Sequence, residues 1–163
     1  QSAKSFGLPS YGGLCKEKEG VFSCKTEKDS WQAAIFEGVS ANMEISFTIE
    51  DFQCSSFGIV LARPVAEVSL SDLSHILVIE PKKDRVYLSD LTWDVQNCRS
   101  YIFEEGRKYD FRMLLMGNTI ELYINDELVF NSSLHSSGNY LPVVFAYDGT
   151  LDVLKLILFR MEE

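Results

Sequence analysis

The sequence is short of the residues that carry most enzyme chemistry. It has two histidines, His75 and His135, in 163 residues, and a hydrolase triad needs a nucleophile, a histidine and an acid brought together. His135 lies in the polar run Ser132-Ser133-Leu134-His135-Ser136-Ser137, where a solvated loop residue is expected. His75 precedes an apolar run and reads as a partly buried edge residue. The Gly-x-Ser-x-Gly elbow, the glycine-rich phosphate loops and the calcium-loop spacing are all absent. Cations are scarce too: 15 Lys and Arg stand against 24 Asp and Glu, a net charge of -9. The basic pairs Lys82-Lys83 and Arg107-Lys108 are flanked closely by acids, and nucleic-acid binding needs clustered cations to release counterions. No nucleic-acid partner is expected. Long apolar runs are missing as well, since residues 153–159 are cut by Lys155, far short of the roughly 20 residues that span a bilayer. No membrane helix is expected.

The four cysteines, at 15, 24, 54 and 98, are never two to four residues apart, which excludes a zinc knuckle or a redox dithiol. Mostly free thiols are expected, with Cys24 and Cys54 as small buried hydrophobes. Loop aspartates permit a calcium ion but no spacing demands one, so no cofactor or metal is expected. The chain opens Gln1-Ser2-Ala3-Lys4 without a hydrophobic stretch, so no signal peptide is expected. A mature form and an excised piece of a longer chain both fit.

What is present is a core. Hydrophobic residues make up 46% and aromatics 12%, and a chain of roughly 150 residues buries about 70% of its extended surface. The dominant period is two. Met43, Ile45, Phe47 and Ile49 alternate with polar neighbours, and residues 57–62 follow after a polar break at 51–56, which predicts an antiparallel hairpin. Residues 76–79 and 85–88 flank Pro81-Lys82-Lys83-Asp84 as a second hairpin. Tyr109, Phe111, Met113 and Leu115, then Ile120, Leu122 and Ile124, then Leu128-Val129-Phe130 form a meander turning at Gly117-Asn118 and Asn125-Asp126. Residues 143–147 and 151–161 supply closing strands about Tyr147-Asp148-Gly149. Helical signals are weak, at 29–36 and in one turn at 70–73. The expectation is an all-β antiparallel sandwich over residues 20–163, with an irregular lead-in, residues 1–19, packed on it.

The aromatics Phe47, Phe57, Phe111, Phe130, Phe145 and Phe159 fall on strand positions and are expected in the core. Trp31 and Trp93 sit in polar segments instead, where a ring either stacks on a sugar or caps the sandwich end. The 24 acids supply carboxylate pairs by chance, and glycoside hydrolysis needs a facing pair. Glu44, Glu50, Asp84 and Glu121 read as solvated strand faces and turns.

The stretch Lys108-Tyr109-Asp110-Phe111-Arg112-Met113, followed by Gly117-Asn118-Thr119-Ile120-Glu121-Leu122-Tyr123-Ile124-Asn125-Asp126-Glu127-Leu128-Val129-Phe130, resembles the signature of concanavalin A-like (lectin/glucanase) sandwich modules. It is similar in particular to the C-terminal β-sandwich of family 32 glycoside hydrolases and to the fructan-binding modules of family 66, over residues 20–161. Within that pattern Gly58-Ile59-Val60-Leu61-Ala62-Arg63 looks like a strand ending in a ligand-facing arginine. Residues 76–80 end in Glu80, and Phe145-Ala146-Tyr147-Asp148 closes with an aromatic and an acid. The resemblance thus nominates Arg63, Glu80, Tyr147 and Asp148 as sugar-binding residues. Arg and carboxylates pair with vicinal hydroxyls while Tyr stacks. An Arg–Glu ion pair and a structural turn account for the same residues equally well. The family 32 enzymes carry catalysis on a separate propeller through Asn-Asp-Pro, Arg-Asp-Pro and Glu-Cys motifs, and none occurs here.

The resemblance therefore implies a non-catalytic carbohydrate-binding or accessory domain. Its partners would be an oligo- or polysaccharide such as a fructan, and an attached glycoside hydrolase. It would work outside the cell, in the periplasm or at the cell surface. Two other readings stand beside it: a structural domain that packs on a catalytic propeller, and a small lectin-like glycosidase using two carboxylates.

Overall fold

A computed structural model of the chain describes residues 5–89, 95–134 and 138–161. Trp93 and His135 lie outside the described residues. In chain order the strands are β1 (Ser5–Phe6), β2 (Tyr11–Leu14), β3 (Lys16–Lys18), β4 (Val21–Lys25), β5 (Trp31–Ile35), β6 (Asn42–Ala62) and β7 (Glu67–Val68). They continue as β8 (Leu73–Glu80), β9 (Arg85–Ser89), β10 (Val95–Ser100), β11 (Tyr109–Met116), β12 (Thr119–Ile124), β13 (Glu127–Ser133) and β14 (Leu141–Arg160). Single 3-10 turns cover Leu70–Asp72 and Pro81–Lys83. Among the described residues no helix is long and apolar enough to cross a membrane.

The two long strands organise everything else. β6 and β14 pair antiparallel from Ala62–Leu141 to Met43–Arg160 and pass from one layer to the other. In the first layer the order is β10-β9-β8-β6-β14-β5-β2, and in the second it is β3-β4-β14-β6-β11-β12-β13. The pairs are antiparallel except β1–β7 and β2–β5. This is an all-β sandwich of the concanavalin A-like, jelly-roll class.

Where a hairpin is predicted around residues 51–56, the chain instead runs straight through as β6. The polar residues there need no turn, because Gln53 pairs with Thr150 and Ser56 with Tyr147. The layer change shows as the adjacent exposed pair Glu50 and Asp51, which breaks the alternation that one face requires. β14 is likewise one strand rather than two. Its break is the positive-φ pair Asp148 (56°) and Gly149 (139°), so Tyr147 and Asp148 sit mid-strand and not at a sheet rim. A Cβ at residue 149 would collide with the Gln53 carbonyl, so only glycine fits.

The second hairpin and the meander form as the alternation predicts. Asp84 takes φ 51° after the 3-10 turn, and Asn125 and Asp126 take φ 51° and 66°. Two positive φ values in succession make the turn whose twist matches flanking strands. Within residues 29–36, of weak helical character in sequence, Trp31–Ile35 form β5 because pairing with β14 overrides a marginal local preference. Residues 5–18 of the predicted lead-in carry β1, β2 and β3.

Between the layers Phe47 stacks on Phe111 with centroids 5.2 Å apart, and Phe57 meets Phe111 edge-on at 5.4 Å. Phe130 joins them. Phe145 is buried on the other face of the first layer. Phe159, expected in the core, is 57% exposed on the outer face of the second layer. Its partner Glu44 faces the same way. His75 is not at an edge. It lies within β8 opposite Leu61, is 2% exposed, and its Nδ1 is 2.9 Å from Ser74 Oγ.

The expectation of mainly free thiols is half corrected. Cys15 and Cys24 form a disulfide, while Cys54 is a buried thiol and Cys98 an exposed one. The β3–β4 register, Lys16 with Ser23, sets Cys15 directly across from Cys24. That contact is invisible from spacing alone, because it needs the hairpin.

Candidate functional site

The first layer is apolar on both faces. Its inner face feeds the core, and its outer face holds a second buried cluster that includes Val60, Ile76, Val78, Val143 and Phe145. A cavity of about 710 Å³ opens on this outer face. Phe6, Leu8 and Pro9 from the N-terminal segment form one wall, held there by β1–β7 pairing and by Gly7 N–H donating to Val68 O at 2.7 Å.

The sheet register arranges the floor in rows across the strands. The first row is Arg85, Glu80, Ser56, Tyr147, Trp31 and Tyr11. It follows from the pairs Glu80–Arg85, Ser56–Tyr147, Tyr147–Trp31 and Trp31–Tyr11, with the Phe57–Ile79 pair carrying Ser56 next to Glu80. The second row is Tyr87, Val78, Gly58, Phe145 and Ala33. The third is Ile76, Val60, Val143 and Ile35, and the fourth is Leu73, Ala62 and Leu141. Polarity thus falls steadily along the strand direction.

The polar end is fixed by specific contacts. Tyr147 Oη donates to Asp29 Oδ1 at 3.1 Å. Arg85 Nε donates to Glu80 in a tight ion pair, with its guanidinium 5.0 Å from the centre of the Tyr87 ring. Trp31 Nε1 donates to Pro9 O at 3.2 Å, and its ring packs on Tyr11 at 4.4 Å and Phe6 at 5.5 Å. Ser55, Lys82 and Lys83 also line the cavity. Desolvation pushes the Tyr147 phenol above its usual range, and its bond to Asp29 adds to this. Tyr87 is raised by desolvation and then by the Glu80 charge. Both therefore keep their protons at neutral pH, and Tyr147 donates its own to Asp29.

The four residues nominated by the family resemblance are placed unequally. Glu80 and Tyr147 line the cavity in the same row. Asp148 is not on the wall, but its Oδ2 accepts from Ser55 Oγ at 2.6 Å, and Ser55 is on the wall. Arg63 lies apart: its side chain is 68% exposed and 3.9 Å from Asp72. Asp72 is held below the usual carboxylate range by the Ser69 backbone N–H and hydroxyl, with Arg63 adding less. The ion pair open at the sequence level is Glu80 with Arg85 and not with Arg63. Trp31, weighed between stacking and capping, is in the cavity wall. Asp29, Ser56, Tyr87, Lys82 and Lys83 carried no signal of their own. Tyr87 follows, however, from Glu80 once the hairpin register about residues 81–84 is fixed. Among the described residues no three His, Cys, Asp or Glu side chains converge as a metal site.

No protein-family model and no curated protein matches the chain. Solved structures do. A family 66 carbohydrate-binding module from Bacillus subtilis aligns with a TM-score of 0.69 at 11% identity, over 94% of this chain and 98% of that one. A toad ovary galectin in complex with thio-digalactose aligns at 0.60 and 9% identity, over 79% and 98%. An alginate lyase of polysaccharide lyase family 7 aligns at 0.57 and 11% identity, over 87% and 78%. At such identities the likeness establishes the sandwich fold and leaves function to the site.

Proposed function

We propose that this chain is a non-catalytic carbohydrate-binding or accessory β-sandwich whose outer-face cavity takes an oligo- or polysaccharide. The row Glu80, Ser56, Tyr147 and Trp31, with Tyr87 beside it, carries this reading. Aromatic faces match the apolar side of a sugar ring, and the neighbouring carboxylate and hydroxyls match its hydroxyl groups. Structural neighbours named as a carbohydrate-binding module and a galectin support the same class.

The finer form is a fructan ligand and an attached family 32-type glycoside hydrolase, near whose substrate the domain would raise the local enzyme concentration. It rests on the meander signature. A site outside the cell, in the periplasm or at the cell surface is supported by the Cys15–Cys24 disulfide, since such bonds persist in oxidising compartments. The glycosidase reading is weaker. Asp29 and Glu80 are the carboxylates on the wall, and each is already engaged, by Tyr147 and by Arg85. A general acid must give its proton to the leaving group.

One observation favours packing on a catalytic partner instead. Met116, Leu128, Ile157 and Phe159 are exposed on the outer face of the second layer. Calorimetric titration with fructose, levan, inulin and unrelated glycans separates the two readings. Saturable heat that Tyr147→Ala abolishes in folded protein supports binding. No heat with any glycan overturns it in favour of the packing role.

A further inference from the structure

The gradient along the cavity floor specifies more than a sugar. From Ser56 to Val60 the cavity floor extends for about four residues of strand, roughly 13 Å at the usual rise. Its first row holds Glu80, Ser56 and Tyr147. Farther along, the side chains that line it are the apolar Val60, Ile76, Val143 and Leu73. At Gly58 in the second row a Cβ would strike the Leu77 carbonyl and approach the Phe145 ring at 3.3 Å, so only glycine fits there. The apolar end is enclosed, with Val60, Ile76, Val143 and Leu73 each less than a tenth exposed. Phe6, Leu8 and Leu70 line it, and Leu70 remains 46% exposed at its rim. A free oligosaccharide would bring hydroxyls against this end, where they find no partner, and each unpaired buried hydroxyl costs free energy.

We propose that the ligand is a saccharide bearing an apolar aglycone, an alkyl or aryl glycoside. The sugar sits at the Glu80–Tyr147 row and the aglycone lies along Val60, Ile76 and Val143. This inference rests on the saccharide reading above and narrows it. Each methylene removed from water strengthens binding about fourfold. A chain that buries three or four methylenes therefore gains about a hundredfold over the methyl glycoside of the same sugar.

The test is titration calorimetry on the whole chain with matched methyl and octyl glycosides of fructose, glucose and galactose, below micellar concentrations. Octanol serves as the apolar control. The expected result is an octyl glycoside about a hundredfold tighter than its methyl counterpart, with the ratio reduced at least fourfold in Leu70→Ser. Equal affinity for the methyl and octyl forms of a bound sugar overturns the aglycone site and leaves the saccharide reading standing. Octanol binding as tightly as the octyl glycoside overturns both, because the sugar then contributes nothing. No heat from any glycoside or from octanol also overturns both.

Discussion

Tyr147 Oη and Asp29 Oδ1 lie 3.1 Å apart, a hydrogen bond between residues 118 positions apart in the chain. It ties the middle of β14 to the loop before β5 and closes one side of the cavity mouth. The phenol is held in place by a group that is not itself on a strand, so its orientation depends on that loop. Tyr147→Phe removes the bond and keeps the ring, whereas Tyr147→Ala removes both.

If the cavity takes a sugar, Tyr147→Ala weakens binding by tenfold or more, a loss of about 1.4 kcal/mol or above. Tyr147→Phe weakens it less. Arg63→Ala leaves it unchanged, because that side chain is exposed and turned to Asp72. Calorimetric titration of the three variants, each shown folded by circular dichroism, checks the order. Loss of binding in Arg63→Ala would move the site away from the cavity.

The disulfide closes a short loop, nine residues apart in sequence. Removing a crosslink of that size destabilises a domain by roughly 2 to 3 kcal/mol on the chain-entropy account. Cys15→Ser with Cys24→Ser is expected to lower the denaturation midpoint accordingly in urea. The slope of the transition should rise slightly, as the unfolded chain expands.

Burial pushes the Cys54 thiol up to about 12, and its side chain is fully buried. In the folded protein it stays protonated while the unfolded chain ionises above about pH 9. Its contribution to stability is thus complete below that pH. It is lost as pH rises toward 12, by about 1.4 kcal/mol per unit at most. Cys54→Ala should flatten the fall in stability between pH 9 and 11 relative to wild type. In the native state a thiol reagent at pH 8 should label Cys98 and spare Cys54. Rapid labelling of both would contradict the buried placement.

Gly149→Ala places a Cβ against the Gln53 carbonyl at a φ that L residues avoid. Backbone strain and overlap together are expected to cost about 3 kcal/mol or more. Thermal denaturation of this variant beside Gly138→Ala separates the overlap from the φ alone. Residue 138 also has a positive φ, but a Cβ there meets nothing.

The strands of the meander and of the 76–88 hairpin were legible because each is a local statement: alternation picks the face, and Gly, Asn or Asp at the turn picks the register. Residues 51–56 misled for the same reason. Their polarity mimics a turn, and only a distant partner, β14, makes them strand. Phe159 alternates like a core residue, yet it falls on the outer face of the second layer, where it stays exposed.

Sequence alone determined the all-β class, since period is encoded within a few neighbouring positions, and the family resemblance of the meander nominated Glu80 and Tyr147. Tertiary structure alone decided that Glu80 and Tyr147 share a row while Arg63 does not, that Cys15 meets Cys24, and that the outer face grades from polar to apolar. The disulfide is set by the β3–β4 hairpin. The others are relations across β6, β8 and β14, set by register between segments far apart in the chain, which leaves no mark on either segment by itself.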